Sequence, residues 1–170
     1  MQITRILQGE VFGVDRVEWS DTAGQPLVRH IVRHPGAVTV VPQLADGRLV
    51  LIRNWRVSVQ RWLVEFCAGK LEPGEPPAVA AARELEEETG HRAAVVRPIG
   101  QFLTSPGFAD ERMHVFAAEG LEAIPTRLQP GERIETLFEH PAEVERWIAT
   151  GRIEDGKTIA AFALWKAARA

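Results

Sequence analysis

Apolar and polar residues alternate along two early stretches, Phe12–Trp19 and Leu27–Val32, with breaks at Asp21–Gly24 and Pro35–Gly36. A period of two marks a strand with one buried face, so residues 1–36 predict a small antiparallel sheet, separate from the rest of the chain. Ala37–Pro42 (AVTVVP) and Arg48–Ile52 (RLVLI) are apolar runs on either side of Ala45-Asp46-Gly47, and Asp-Gly between such runs predicts a hairpin. Trp62–Phe66 reads as a further strand.

After the loop Gly69–Gly74 the pattern changes. Pro76 and Pro77 suit a first helical turn, where a missing N–H costs nothing. The residues up to Thr89 are rich in Ala, Glu and Leu, and Gly90 stands where a helix ends in a left-handed residue, so a helix is predicted over Pro77–Thr89. Strand-like runs come next at Ala93–Ile99, Met113–Ala117 and Ile134–Phe138. Two helices close the chain. Pro141–Ala149 carries Val144, Trp147 and Ile148 on one face, and Asp155 caps a last helix holding Ile159, Phe162, Ala163 and Trp165. Mixed strands with few helices predict an α+β or α/β sandwich of sheet and helices over residues 37–170.

The 170 residues are 45% hydrophobic and 25% charged, the balance of a folded domain, with a formal net charge of −3. That charge argues against a nucleic-acid partner, because a phosphate backbone selects strongly basic surfaces. Cys67 is the sole cysteine, so no internal disulfide forms. The first residues lack the pattern of a signal peptide, and no apolar run nears the ~20 residues that span a bilayer. A cytoplasmic location, away from membranes, is expected.

The predicted helix over Pro77–Thr89 holds Glu84, Glu86, Glu87 and Glu88, a crowding of like charge that is unfavourable in itself. Glu84 and Glu88 are one turn apart and share a face, where two carboxylates can hold a hard divalent cation such as Mg²⁺. Two such ions would neutralise a pyrophosphate and activate water. Arg83 is placed to hold Glu87, four residues on. For the helix alone, a solvated acidic face is the better explanation of the cluster. The wider context argues otherwise. Gly69, Glu75, Arg83-Glu84-Leu85, Glu87-Glu88 and Gly90 form one long pattern, GKLEPGEPPAVAAARELEEETGH. It resembles the box of the Nudix hydrolases, G-x5-E-x7-R-E-U-x-E-E-x-G-U with U a large apolar residue, and His91 at the last position is the only departure.

The resemblance implies an α/β/α sandwich with a mixed sheet, and hydrolysis of a nucleoside diphosphate linked to another group. It implies Glu84, Glu87 and Glu88 as metal ligands, with Arg83 and Glu75 in support. VEFCAGKLEPGE is further similar to the ADP-ribose pyrophosphatase branch, where the carbonyl at Ala68 would complete a metal shell and Cys67 replaces a proline. Cys67 then reads as a buried filler rather than a nucleophile. Ser105-Pro106-Gly107, with Pro106 fifteen residues past His91, matches a substrate loop of that branch, although Pro-Gly is also an ordinary turn. Glu111 joins it as a minor candidate. Arg56 in IRNWR matches an arginine that reaches substrate phosphates, as a planar fork suits, against the alternative of a plain surface arginine. Glu132 in GERIE matches a late-loop base or extra metal ligand, and Glu135 remains an alternative to it. By the same resemblance, residues 1–36 would join two subunits as a homodimer, and Trp19 or Phe12 would either stack on a base or fill a core or interface.

The implied reaction is Mg²⁺-dependent cleavage (Mn²⁺ or Zn²⁺ as substitutes) of a nucleotide sugar, with ADP-ribose giving AMP and ribose 5-phosphate. GDP-mannose is the nearer rival. A sensor that binds ADP-ribose without cleaving it is the rival of another class, disfavoured because every acidic box position is kept. His30 and His34, four apart, lack a third zinc ligand and read as a solvated strand. No G-x-G, Walker or G-x-S-x-G motif is present.

Overall fold

The two alternating stretches become β2 (Gly13–Ser20) and β3 (Pro26–Arg33) in the computed structural model, which describes residues 1–169. A strand that the pattern did not disclose, β1 (Gln2–Gln8), pairs antiparallel on the far edge of β2. All seven of its residues are exposed, so it has no buried face to impose alternation on its sequence. The sheet β1-β2-β3 is hydrogen-bonded apart from the other two. Its tie to the rest of the chain runs through β3, where Arg33 bonds both Asp15 and Asp110.

A mixed sheet of order β7-β4-β9-β8 forms the centre. Here β4 (Ala37–Pro42) runs parallel to β9 (Arg112–Ala123) and antiparallel to β7 (Ala68–Lys70), while β8 (His91–Leu103) pairs antiparallel with β9. A third sheet, β10-β5-β6, joins β5 (Leu49–Arg56), β6 (Arg61–Glu65) and β10 (Ile134–Glu139). The Asp46-Gly47 turn does form, with Gly47 at φ 87°. The hairpin expected across it is reduced to one bridge, Gln43 to Leu49, because β4 and β5 then diverge into different sheets.

Period-two alternation places the helices. Along β4 and β9, Val38, Val40, Phe116 and Ala118 face α1 (Pro77–Thr89) and meet Ala80, Ala81 and Leu85. The intervening Val41, Val115 and Ala117 face the other way, toward α2 (Pro141–Ala149) and α3 (Gly156–Ala167). There Val144, Trp147, Ala161, Phe162 and Trp165 fill the second core, with the last two rings stacked at 5.8 Å. Burying a side chain the size of Val144 or Phe162 stabilises the fold by about 1.5–3 kcal/mol. The result is the expected sandwich, with helices on both faces of the sheets. Asp155 caps α3 as predicted, its carboxylate accepting from Thr158 N–H at 2.9 Å. Among the described residues, no helix is long and apolar enough to cross a membrane.

Helix α2 carries its own pH-dependent clasp. Glu143, in its first turn, accepts from Arg146 Nε at 2.9 Å and from the Trp147 indole N–H at 2.6 Å. Arg146 first, and then Trp147, hold its carboxyl down to about 2. Because the folded value is depressed, this contribution is present above the unfolded carboxylate range and is lost as pH falls toward about 2. Glu143→Gln is therefore expected to lower the thermal midpoint by a few degrees at most near neutral pH. The gap to the unsubstituted protein should close on acidification, as followed by circular dichroism.

Candidate active site

A cleft of about 650 Å³ opens where β7, the end of β5, the inner face of α1 and the first turn of α3 converge. Leu85 and Ala81 anchor α1 in the core, which turns Glu84 and Glu88 toward the cleft. Both acids are nonetheless nearly buried, at 6% and 4% exposure. Glu88 accepts the Ala68 N–H at 2.9 Å. Glu84 lies over Gly69 so closely that a Cβ there would sit 1.9 Å from its Oε1, and this explains the glycine that opens the box. Gly90 ends α1 at φ 66°, and a Cβ there would meet the Ile124 carbonyl at 2.7 Å.

Arg83 bonds Glu84 at 2.6 Å and grips both oxygens of Glu75, at 2.9 and 3.0 Å. Its expected contact with Glu87 exists but is longer, 3.6 Å. Glu75 thus holds the loop before α1 to the helix. His91, standing where the box has an apolar residue, is buried, with its Nδ1 against the Thr89 carbonyl at 2.9 Å and its ring against Phe138.

Burial, reinforced by Glu84 and Glu132, pushes the Glu88 carboxyl up to about 8, although Ala68 N–H and Arg56 oppose it. Glu84 is raised too, by burial first, against the pull of Arg83. Two adjacent buried acids that resist ionising form a site that a cation relieves. Among the described residues, no three His, Cys, Asp or Glu side chains form a complete cage. Two carboxylates with main chain beside them instead suit a hard ion that keeps water and substrate oxygens in its shell. The donor set therefore fits a divalent cation, with Glu84, Glu88 and Ala68 as the groups that would hold it.

The remaining sequence candidates divide. Arg56, Glu111 and Glu132 line the cleft. The Glu132 carboxylate accepts the Gln129 N–H at 2.8 Å, whereas Glu135 lies on β10 in an ion pair with Arg53 at 2.7 Å, outside the lining. Glu87 also lies outside it. So do Ser105, Pro106 and Gly107, which form a turn in which the Ser105 carbonyl accepts from Phe108 and Ala109. Trp19 stays on the N-terminal sheet beneath Arg29, and Phe12 borders an adjoining depression. His34 does line the cleft, facing Glu111 at 3.7 Å. The Cys67 thiol is fully buried, and burial, then Glu88 and Glu84, push its pKa well above the usual range, which suits a filler.

Two side chains escaped the sequence reading. Glu65 is completely buried at the end of β6, and Lys157 of α3 reaches it from 92 residues away. A lone acid inside the apolar run WLVEFCA was the available signal for Glu65. Nothing local pointed to Lys157.

Known proteins resemble this chain in sequence and in fold. A family model described as a NUDIX domain matches residues 33–162. The chain is 40% identical over 137 residues to an ADP-ribose pyrophosphatase of Bacillus subtilis (strain 168), covering 79% of this chain and 74% of that protein. It is 41% identical over 150 residues to a methanol dehydrogenase activator of Bacillus methanolicus, covering 87% and 80%. A crystal structure of an ADP compounds hydrolase shares the fold at a TM-score of 0.85 and 22% identity, over 98% of this chain and 90% of that one. With the family match running from the end of β3 into α3, across an intact acidic helix, this chain belongs to the Nudix family of hydrolases.

Proposed function

We propose that the chain hydrolyses the pyrophosphate bond of a nucleoside diphosphate sugar, with ADP-ribose preferred and AMP and ribose 5-phosphate as products. The observation that carries this reading is the pair of buried acids, Glu84 and Glu88, turned into a cleft against Ala68 and Gly69. The relative named ADP-ribose pyrophosphatase, at 40% identity, supports the choice of substrate. Mg²⁺ is the proposed ion, with Mn²⁺ or Zn²⁺ able to replace it. Bound there, such ions supply positive charge against the diphosphate and acidify water. Glu84, Glu88 and the Ala68 carbonyl hold them, Glu87 adds negative charge at the rim, and Arg83 keeps Glu84 in place. Glu132, brought in by the loop before β10, takes a proton from the attacking water or orients it. Arg56 holds a phosphate and Glu111 borders the sugar side, while Ser105, Pro106 and Gly107, outside the cleft lining, act on it from behind through Thr104, which donates to Glu111 at 2.8 Å.

The sheet β1-β2-β3 is proposed to join two copies. Ile3, Ile6, Leu7 and Val28 are exposed on it, apolar surface that a second copy would cover. Action in the cytoplasm fits a nucleotide-sugar substrate.

A panel of ADP-ribose, GDP-mannose, NADH, ADP-glucose and diadenosine polyphosphates, assayed with Mg²⁺ for released monophosphate, tests the reading. The expected result is a clear preference for ADP-ribose. Preference for GDP-mannose would keep the chemistry and remove the role given to Ser105-Pro106-Gly107. Tight binding without cleavage of any member would overturn the hydrolytic reading.

A further inference from the structure

We propose that Lys157 is a positioning residue for Arg56, acting through Glu65, the one carboxylate that both share, so that a substrate phosphate meets a guanidinium already fixed in place. The proposal rests on the reading of Arg56 as the phosphate contact.

Glu65 has no exposed surface, and both of its oxygens are engaged. Oε1 accepts from Arg56 Nε at 2.8 Å, and Oε2 accepts from Arg56 Nη2 at 2.6 Å and from Lys157 Nζ. One edge of the guanidinium is thus docked. Among the described residues its Nη1 takes no protein partner, and the Arg56 side chain, 37% exposed, lines the cleft. Burial alone would raise the Glu65 carboxyl, but Arg56 and Lys157 together outweigh it and hold the group below its usual range. It therefore stays charged, and two cations stand against one buried anion.

Lys157 is itself fixed. Its Nζ meets Asp155 at 2.9 Å, while the other Asp155 oxygen caps α3 through Thr158. Thr158 Oγ1 in turn accepts the Phe66 N–H at 2.9 Å. The start of α3 so grips residues 65 and 66 at consecutive points. Without Lys157, a fully buried carboxylate would lose one of its two compensating cations and shift from its present place, which loosens the two-point grip on Arg56. A flexible guanidinium that must order on binding weakens ground-state and transition-state binding alike.

The test uses the full chain with ADP-ribose and Mg²⁺ and compares Lys157→Met, Lys157→Arg, Arg56→Ala and the double variant Arg56→Ala with Lys157→Met. Lys157→Met should raise KM about tenfold with kcat within about twofold, the pattern of lost uniform binding. Lys157→Arg should recover most of that loss. In the Arg56→Ala background, Lys157→Met should add less than about twofold, because the two residues act as one unit. An unchanged KM in Lys157→Met beside a raised KM in Arg56→Ala overturns the proposal and leaves the role of Arg56 standing. Effects that multiply in the double variant overturn it in favour of a direct Lys157 contact, and a fall in kcat with KM unchanged overturns it in favour of a role in the chemical step. An unchanged KM in Arg56→Ala removes the phosphate assignment and the proposal with it. Glu65→Gln reads the same link from its other end and serves if Lys157→Met does not fold. Its KM should rise by a similar factor, and a KM equal to that of the unsubstituted protein counts against the proposal.

Discussion

Replacing Glu88 with Gln should lower kcat for ADP-ribose in Mg²⁺ by about a thousandfold, three factors of ten at ~1.4 kcal/mol each, while the thermal midpoint stays the same or rises. The two effects separate because they have different physical origins. Glu88 is 4% exposed, and its carboxyl is pushed up to about 8 by burial and by neighbouring acids. A charge at that position opposes folding, and a neutral amide of the same shape removes the opposition. Gln also keeps an oxygen for the Ala68 N–H, which Glu88 now satisfies at 2.9 Å. What Gln removes is the negative charge that would hold a cation. Rates measured by released monophosphate, beside a melt followed by circular dichroism, check both halves. A rate within a few-fold of the unsubstituted enzyme would take Glu88 out of the metal set. A lowered midpoint would mean that the acid serves the fold instead.

Gly69→Ala should cost about a hundredfold in kcat, the scale of an ångström-sized misplacement in a reacting site, with little change in stability. The added methyl would fall 1.9 Å from Glu84 Oε1 and 2.0 Å from its Cδ. These atoms are the far end of a flexible side chain, so the carboxylate swings aside and the backbone need not move. Stability is spared for that reason, and the proposed cation site would lose one of its two acids for the same reason. Gly90 offers the contrast, since a Cβ there would meet a main-chain carbonyl that has no room to retreat. Single-turnover rates across a Mg²⁺ titration give the check. Loss of activity that high Mg²⁺ partly restores is expected, and full activity at low Mg²⁺ would show that Glu84 does not need its present place.

The parts of this structure that local rules govern were legible in the sequence. Helix α1 occupies Pro77–Thr89 and α2 occupies Pro141–Ala149, both as predicted, because proline at the start and helix-forming residues within fix such segments from inside. Strand β4 runs from Ala37 to Pro42 as predicted, since a short run rich in β-branched residues, set between Gly36 and Pro42, suits a fully buried strand. Strand β7 is only three residues long and lies within a glycine-rich stretch, so no periodicity could reveal it. Strand β8 extends to Leu103, well past the predicted Ile99, because its pairing with β9 continues across a bulge near Gly100. The site divides in the same way. Glu84 and Glu88 sit on one helix, and their relation is a matter of spacing. The clasp of Arg83 on Glu75 spans a loop, and the meeting of Arg56, Glu65 and Lys157 depends on how α3 packs, which no local pattern encodes.

The parallel pairing of β4 with β9 sets Ala37 opposite Met113 and Pro42 opposite Ala118. Everything between them, the acidic helix included, must be closed into one long loop before those strands can meet, and such distant pairing makes folding slow. Helix α1 cannot wait in finished form. At thirteen residues, with four glutamates crowded near its end, it is too short and too self-repelling to persist alone in water. A nascent or unfolded copy therefore carries these glutamates as scattered, solvated charges, unable to gather a cation beside a bound nucleotide. Hydrolytic capacity arrives all at once with the completed sheet, which makes the topology itself a safeguard against half-made enzyme.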